Sequence, residues 1–150
     1  MGRRVDYLTG KTAFSTLTAG HFMESQVTTC FQGSMADRVA VAITTGRFGS
    51  LPVVDEKRHL VGIISEFDIL KALRAGKDLG KVTAKEVMTT KPVCVDEKAS
   101  ADEVMKTLEE KHFIRVPVVD PDGTVIGVVS RTDVLKGYLQ SETGDIPWWM

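Results

Sequence analysis

The chain has 150 residues, 43% hydrophobic and 26% charged, with a formal net charge of -1. That length suffices for one well-packed domain or for two small ones sharing a core. The balance excludes a global basic field for nucleic acid and an acidic disordered block, and no apolar run approaches the roughly eighteen residues of a membrane span.

Residues 1–16 are weakly patterned. MGRRVDYLTGKTAF is basic but lacks an apolar h-region, so it does not read as a secretory signal. Asp6 stands where a myristoylation motif wants Ser or Thr. A cytoplasmic chain is expected. A short β-rich stretch, Val27 to Cys30, precedes an amphipathic helix from about Ser34 that carries Met35, Val39, Ala42 and Ile43 at helical spacing. Then come a strand from Leu51 to Val54, the polar turn DEKRH, a strand from Leu60 to Ile64 and a helix from Glu66. The same order returns as Val93 to Val95, a helix from Ser100 with Val104, Met105 and Leu108, and a strand from Val116 to Val119. The turn Asp120-Pro121-Asp122-Gly123, a strand from Val125 to Val129 and a helix from Arg131 complete it. Ser100 and Glu103 have the spacing of a capping box.

A shift of 65 residues superposes the two halves without a gap. Pro52-Val53-Val54-Asp55 meets Pro117-Val118-Val119-Asp120, Gly62 meets Gly127, Ser65 meets Ser130 and Asp68 meets Asp133. Upstream, Met23 meets Met88, Ala36-Asp37 meets Ala101-Asp102 and Phe48 meets Phe113. Each half therefore reads as a β-α-β-β-α unit. Its strands are apolar on nearly every residue, as in strands buried on both faces. The expected fold is α/β, two such repeats packed about a pseudo-two-fold axis, because one copy alone has too small a core. The expected division is an extension 1–16, repeats 17–79 and 80–140, and a tail 141–150. In that tail Trp148-Trp149 is expected to dock on its own chain or on a dimer mate.

Cys30 and Cys94 read as free thiols rather than a disulfide framework. His21, His59 and His112 show no ligand spacing, so no metal is expected.

The turns Ser65-Glu66-Phe67-Asp68 and Ser130-Arg131-Thr132-Asp133 admit two readings. Serine is a good N-cap and an acid three residues on closes a capping box. The same helix N-terminus also offers unpaired backbone N–H groups to an anion. The aspartate would then accept from a pair of hydroxyls such as a ribose diol, and Gly62 and Gly127 would permit close approach. Together these parts describe a nucleotide site.

The tandem unit resembles the CBS domain in its paired (Bateman) form, over about residues 15 to 140. The resemblance rests on LPVVD and VPVVD, on GIISEFD and GVVSRTD, on the Met before each unit (HFMES and EVMTT) and on the gapless spacing. It implies a disc with two clefts for an adenosine compound: AMP, ADP, ATP or S-adenosylmethionine, sometimes NAD-type or cyclic dinucleotides. It implies regulation of an attached or partner protein, and no catalysis. It makes Asp68 and Asp133 the diol acceptors and places Ser65 and Ser130 near phosphate. Thr132 also falls at a phosphate-holding position, which is Phe67 in the first copy. It gives a polar or basic position to Arg115 and Ser50. Adenine packing falls to Thr18, Phe22 and Phe48 for the Asp133 cleft, and to Thr83, Val87 and Phe113 for the Asp68 cleft. With Thr132, Arg115 and Arg131 around it, the Asp133 cleft is expected to be the better phosphate site.

The helices from Glu66 to Leu73 and from Arg131 to Leu139 carry Ile69, Leu70, Leu73, Val134, Leu135 and Tyr138. Some of these should be left over by the intrachain core, so a homodimer of pairs is expected. The regulated partner is not named by the sequence, and neither nucleic acid nor membrane is expected as one. The competing expectation is a homo-oligomerisation or interaction module whose clefts hold no ligand. An enzyme is disfavoured, since no nucleophile–base constellation or phosphate-binding Walker loop is present.

Overall fold

The computed structural model describes residues 13–111 and 113–143. After a 3-10 turn at Phe14–Thr16, the elements in chain order are α1 (Ala19–Phe22), β1 (Cys30–Phe31), α2 (Ala36–Gly46), β2 (Ser50–Val54), β3 (Leu60–Ser65), α3 (Glu66–Arg74) and α4 (Ala84–Val87). They continue as β4 (Thr89–Thr90), β5 (Val95–Asp96), α5 (Ala101–Glu110), β6 (Arg115–Val119), β7 (Val125–Ser130) and α6 (Arg131–Thr143). This is a mixed α/β fold in two repeats, each a small sheet with helices, as the sequence pattern implies. Trp148-Trp149, residues 1–12 and His112 lie outside the described residues.

The chain forms two compact units. One is continuous, Thr28–Pro92; the other is split, joining the residues up to Val27 with those from Val93 onward. In the continuous unit the sheet order is β1-β2-β3-β4. The β2–β3 hairpin is antiparallel and sets Ser50 opposite Ser65; β1 adds in parallel and β4 antiparallel. In the split unit the order is β5-β6-β7, and Arg115 faces Ser130 across the β6–β7 hairpin. The place of β4 is taken there by a single antiparallel bridge from Glu24 to Val128.

The first strand of each repeat is shorter and later than its composition suggests. β1 begins at Cys30, not Val27, and β5 at Val95, not Val93. Cys30 pairs with Val53 and Val95 with Val118, so the preceding residues would fall opposite Pro52 and Pro117. Proline has no N–H to give the ladder, which stops there.

Helix starts also differ in their donors. α2 begins at Ala36 rather than Ser34, because the Ala36 amide donates to Val82 O at 2.9 Å across the Met35–Thr83 bridge. At α5 only half of the anticipated box forms: Ser100 Oγ accepts from the Glu103 amide at 3.1 Å. The Ala101 amide, at the first helical position, donates to Leu17 O at 3.1 Å.

Each unit has its own core. Cys30, Val39, Ile43, Leu51, Val53 and Ile64 anchor that of the continuous unit. Leu17, Phe22, Val104, Val116, Val118 and Val129 anchor the other. Burial pushes the Cys30 thiol up to about 11. Both cysteines are free thiols. No helix among the described residues is long and apolar enough to cross a membrane.

Candidate functional site

Strand β7 ends at Ser130 and turns at once into α6, as β3 ends at Ser65 and turns into α3. Serine in extended conformation at such a junction caps the helix with its hydroxyl. In the split unit the Asp133 amide donates to Ser130 Oγ at 3.0 Å and the Ser130 amide donates to Asp133 Oδ2 at 2.8 Å. In the continuous unit the corresponding distances are 3.2 and 2.9 Å, and Ser65 Oγ also lies 3.0 Å from Asp68 Oδ2. Both capping boxes are thus formed. This geometry fixes each carboxylate beside the first turn of its helix, where the macrodipole favours negative charge.

The environments of the two carboxylates differ. Asp133 is 3% exposed, whereas Asp68 is half-buried. The Thr89 hydroxyl donates to Asp68 Oδ1 at 2.9 Å. Nothing in the sequence pattern marks Thr89; it reaches Asp68 because β4 pairs Thr89 with Ile63 on the neighbouring strand.

The polar neighbours are set by the hairpins. Arg115 is the cross-strand partner of Ser130, and Ser50 of Ser65. Directly opposed side chains lie about 5 Å apart at Cβ, so each pair stands at the mouth of its helix. Thr132 is exposed on the first turn of α6, and Phe67, its counterpart, is 80% exposed. Arg131 is exposed, its Nε donating to Phe113 O at 2.6 Å, and it lines the groove between α5 and α6.

Residues matched with adenine packing divide between the units. Thr18 belongs with Asp133 and caps α1, its amide donating to His21 Nδ1 at 2.9 Å. Thr83 and Val87 belong with Asp68; the Thr83 amide donates to Glu86 Oε2 at 2.7 Å. Phe48 belongs to the continuous unit and its matched Asp133 to the split unit; Phe113 belongs to the split unit and its matched Asp68 to the continuous one. Phe22 has no exposed surface. Its ring occupies the space that Gly137 leaves on α6 and packs against Phe14, centroids 5.7 Å apart. Among the described residues no group of acidic, His or Cys side chains could hold a metal ion.

The chain is similar to several known proteins. It is 30% identical over 122 residues to an uncharacterized protein of Methanopyrus kandleri, covering 81% of this chain and 62% of that one. It spans about six tenths of the length of the first curated relatives it matches. Among solved structures, CBSX2 of Arabidopsis thaliana in complex with AMP superposes with a TM-score of 0.73 at 27% identity, over 84% of this chain and 98% of that one. A CBS domain pair in complex with 5-methylthioadenosine and S-adenosyl-L-methionine gives 0.68 at 28% identity, over 81% and 98%. The CBS domain family matches residues 19–75 and 84–140, more than half of the chain. With the repeated strand-turn-helix and its serine–aspartate caps in both matched stretches, this chain belongs to the CBS domain family.

Proposed function

We propose that the chain is a regulatory module that takes an adenosine ligand, an adenine nucleotide (AMP, ADP or ATP) or S-adenosylmethionine, at its Ser-x-x-Asp turns. As a homodimer of pairs it signals that occupancy to another protein, without catalysis of its own. The observation that carries this reading is the repeated constellation itself. In each unit a helix N-terminus, a capping serine, its cross-strand neighbour and a carboxylate fixed by that serine converge. Phosphate suits the first three, and a diol suits the carboxylate. Two relatives at 27% and 28% identity were solved with adenosine compounds.

The two sites are read as unequal. The split unit has the cation, Arg115, and is the site for a phosphate-bearing ligand. The continuous unit has Ser50, Glu66 and the exposed Phe67 in the matching places, together with the more accessible carboxylate. It suits a ligand of less negative charge.

A second reading has support of its own. Asp133 is nearly inaccessible and both caps are satisfied internally, as in an interaction module that needs no ligand. A thermal-shift panel of AMP, ATP, S-adenosylmethionine and NAD separates the two. A ligand at about a hundred times its Kd adds about 2.7 kcal/mol; no shift with any of the four leaves only the second reading.

A further inference from the structure

The two repeats fasten their shortest α-helices with different chemistry. α1 and α4 are four-residue helices at equivalent positions, and each starts from a threonine whose own amide is held by the side chain three residues on. In the continuous unit the Thr83 amide donates to Glu86 Oε2 at 2.7 Å. In the split unit a histidine takes the place of that acid. The Thr18 amide donates to His21 Nδ1 at 2.9 Å, and Thr18 Oγ1 lies 3.0 Å from the same nitrogen. The 65-residue shift sets Thr18 on Thr83 and His21 on Glu86.

The two acceptors answer differently to protons. An amide N–H can only donate, so His21 Nδ1 accepts and the ring hydrogen is on Nε2. A protonated imidazole carries a hydrogen on both nitrogens. Nδ1–H could then turn to the Thr18 hydroxyl, but it would still face the Thr18 amide, donor against donor, and the ring has to move off. Histidine side chains change charge at about pH 6.5 in ordinary surroundings, and glutamates at about 4.3. The surroundings of His21 offer an imidazolium no compensation. α1 packs on α6, on β7 and on the loop 97–100. That loop carries Glu97 and Lys98, and α6 carries Arg131, Asp133, Lys136 and Glu142; β7 has no charged residue, and Glu24 follows α1. Among the described residues none of these is an ion-pair partner of His21.

We propose that His21 makes the start of α1 a proton-sensitive fastening of the split unit. What it holds matters to that unit. The Ala19 amide donates to Ala99 O at 2.9 Å and the Gly20 amide to Glu97 O at 2.8 Å. The Phe22 ring is buried in the core, and Glu24 bridges to Val128. On acidification the Thr18 amide loses its acceptor, and the turn that carries these contacts frays from its first residue. Only the neutral ring makes the contact, so its contribution is present above the histidine range and is lost as the pH falls through it. The Thr83–Glu86 cap lasts to lower pH, so the continuous unit keeps its own fastening over the same window.

The test is amide hydrogen exchange followed by NMR on the full chain, at about pH 7.5 and about pH 5.5, on either side of the histidine range. Rates are expressed as protection factors, which remove the intrinsic pH dependence of exchange. Protection of the Thr18 amide should fall about fivefold from the higher to the lower pH, on the scale of the net contribution of one hydrogen bond, while that of Thr83 stays constant. His21→Gln, whose amide oxygen accepts at either pH, should hold Thr18 protection constant. His21→Glu, which copies the other repeat, should do the same and decides the matter if the glutamine variant does not fold. Ring nitrogen chemical shifts should show the Nε2–H tautomer of His21 at about pH 7.5. Thr18 protection that is indifferent to pH in the unaltered chain, or that falls equally in the folded variants, overturns the proposal, as does an Nδ1–H tautomer.

Discussion

The Thr89 hydroxyl donates to Asp68 Oδ1 at 2.9 Å, the oxygen that the Ser65 cap leaves uncommitted. In the function proposed above a ribose diol takes acceptor sites on that same carboxylate, so Thr89 would compete with it. Thr89→Val should raise adenosine affinity at the Asp68 turn about threefold to tenfold, on the scale of the net contribution of one hydrogen bond. Titration calorimetry checks it, and unchanged or weaker binding means that Thr89 does not stand in the ligand's way.

Arg115 stands opposite Ser130 on the neighbouring strand. A charge-assisted bond to phosphate contributes about 1.5–3 kcal/mol, worth at least tenfold in affinity. Arg115→Ala should therefore weaken AMP by that factor while changing uncharged adenosine much less. Equal losses for the two ligands would place Arg115 away from the phosphate.

The two aspartates should differ in what they do for the fold. Asp133→Ala removes a carboxylate that is only 3% exposed and leaves the Ser130 amide without its acceptor, at a cost of about 1–3 kcal/mol. Asp68→Ala, at a half-buried position, should cost about 1 kcal/mol. Urea denaturation compares them. Calorimetry on the same variants asks the functional question: each should lose about 1.5–3 kcal/mol of ligand affinity at its own turn.

Gly127 lies where the Glu24 segment crosses β7. A Cβ there would meet Glu24 O at 3.0 Å and crowd the Met23 side chain. Gly127→Ala should destabilise by about 1–3 kcal/mol. Gly33→Ala, with nothing within 4 Å of the added carbon, should stay within about 0.5 kcal/mol.

Cys30 gives a prediction about alkali. Its thiol is raised by burial to about 11, above the roughly 8.5 of a free thiol. A raised pKa means that the neutral form is favoured by folding. The contribution is fully present below about pH 8.5 and is lost as the pH rises through about 11. Cys30→Ala should flatten stability over that window, and at neutral pH the exposed Cys94 should be alkylated before Cys30.

Much of this was readable from the residues because it is local and stated twice. Ser65 with Asp68, and Ser130 with Asp133, are caps three residues apart, and the 65-residue shift exposes both. The hairpins follow from PVVD and the turns after it. What could not be read lies in the pairing between segments distant along the chain. Thr89 reaches Asp68 only through β4, and Phe22 enters the core only because Gly137 on α6 leaves space for its ring. The fate of Arg131 is likewise tertiary. Its Nε donates to Phe113 O, on a segment distant along the chain, and it lines the groove between α5 and α6. The leftover apolar residues were foreseen as a set, but only packing separates buried Ile69 and Val134 from exposed Leu70 and Leu135.

The split unit has a consequence for how the protein is made. Thr28–Pro92 is one uninterrupted stretch, so the continuous unit is complete as soon as Pro92 has left the ribosome. The split unit is not. Leu17, Phe22 and Met23 emerge before that stretch, yet their partners Val129 and Val134 are synthesised only after it. The bridge from Glu24 to Val128 closes a loop over most of the described chain, a slow step for which the thermodynamic cost is modest. During synthesis the apolar segment of the split unit therefore waits without its partners while the whole of the continuous unit is made, the kind of exposed surface that chaperones shield.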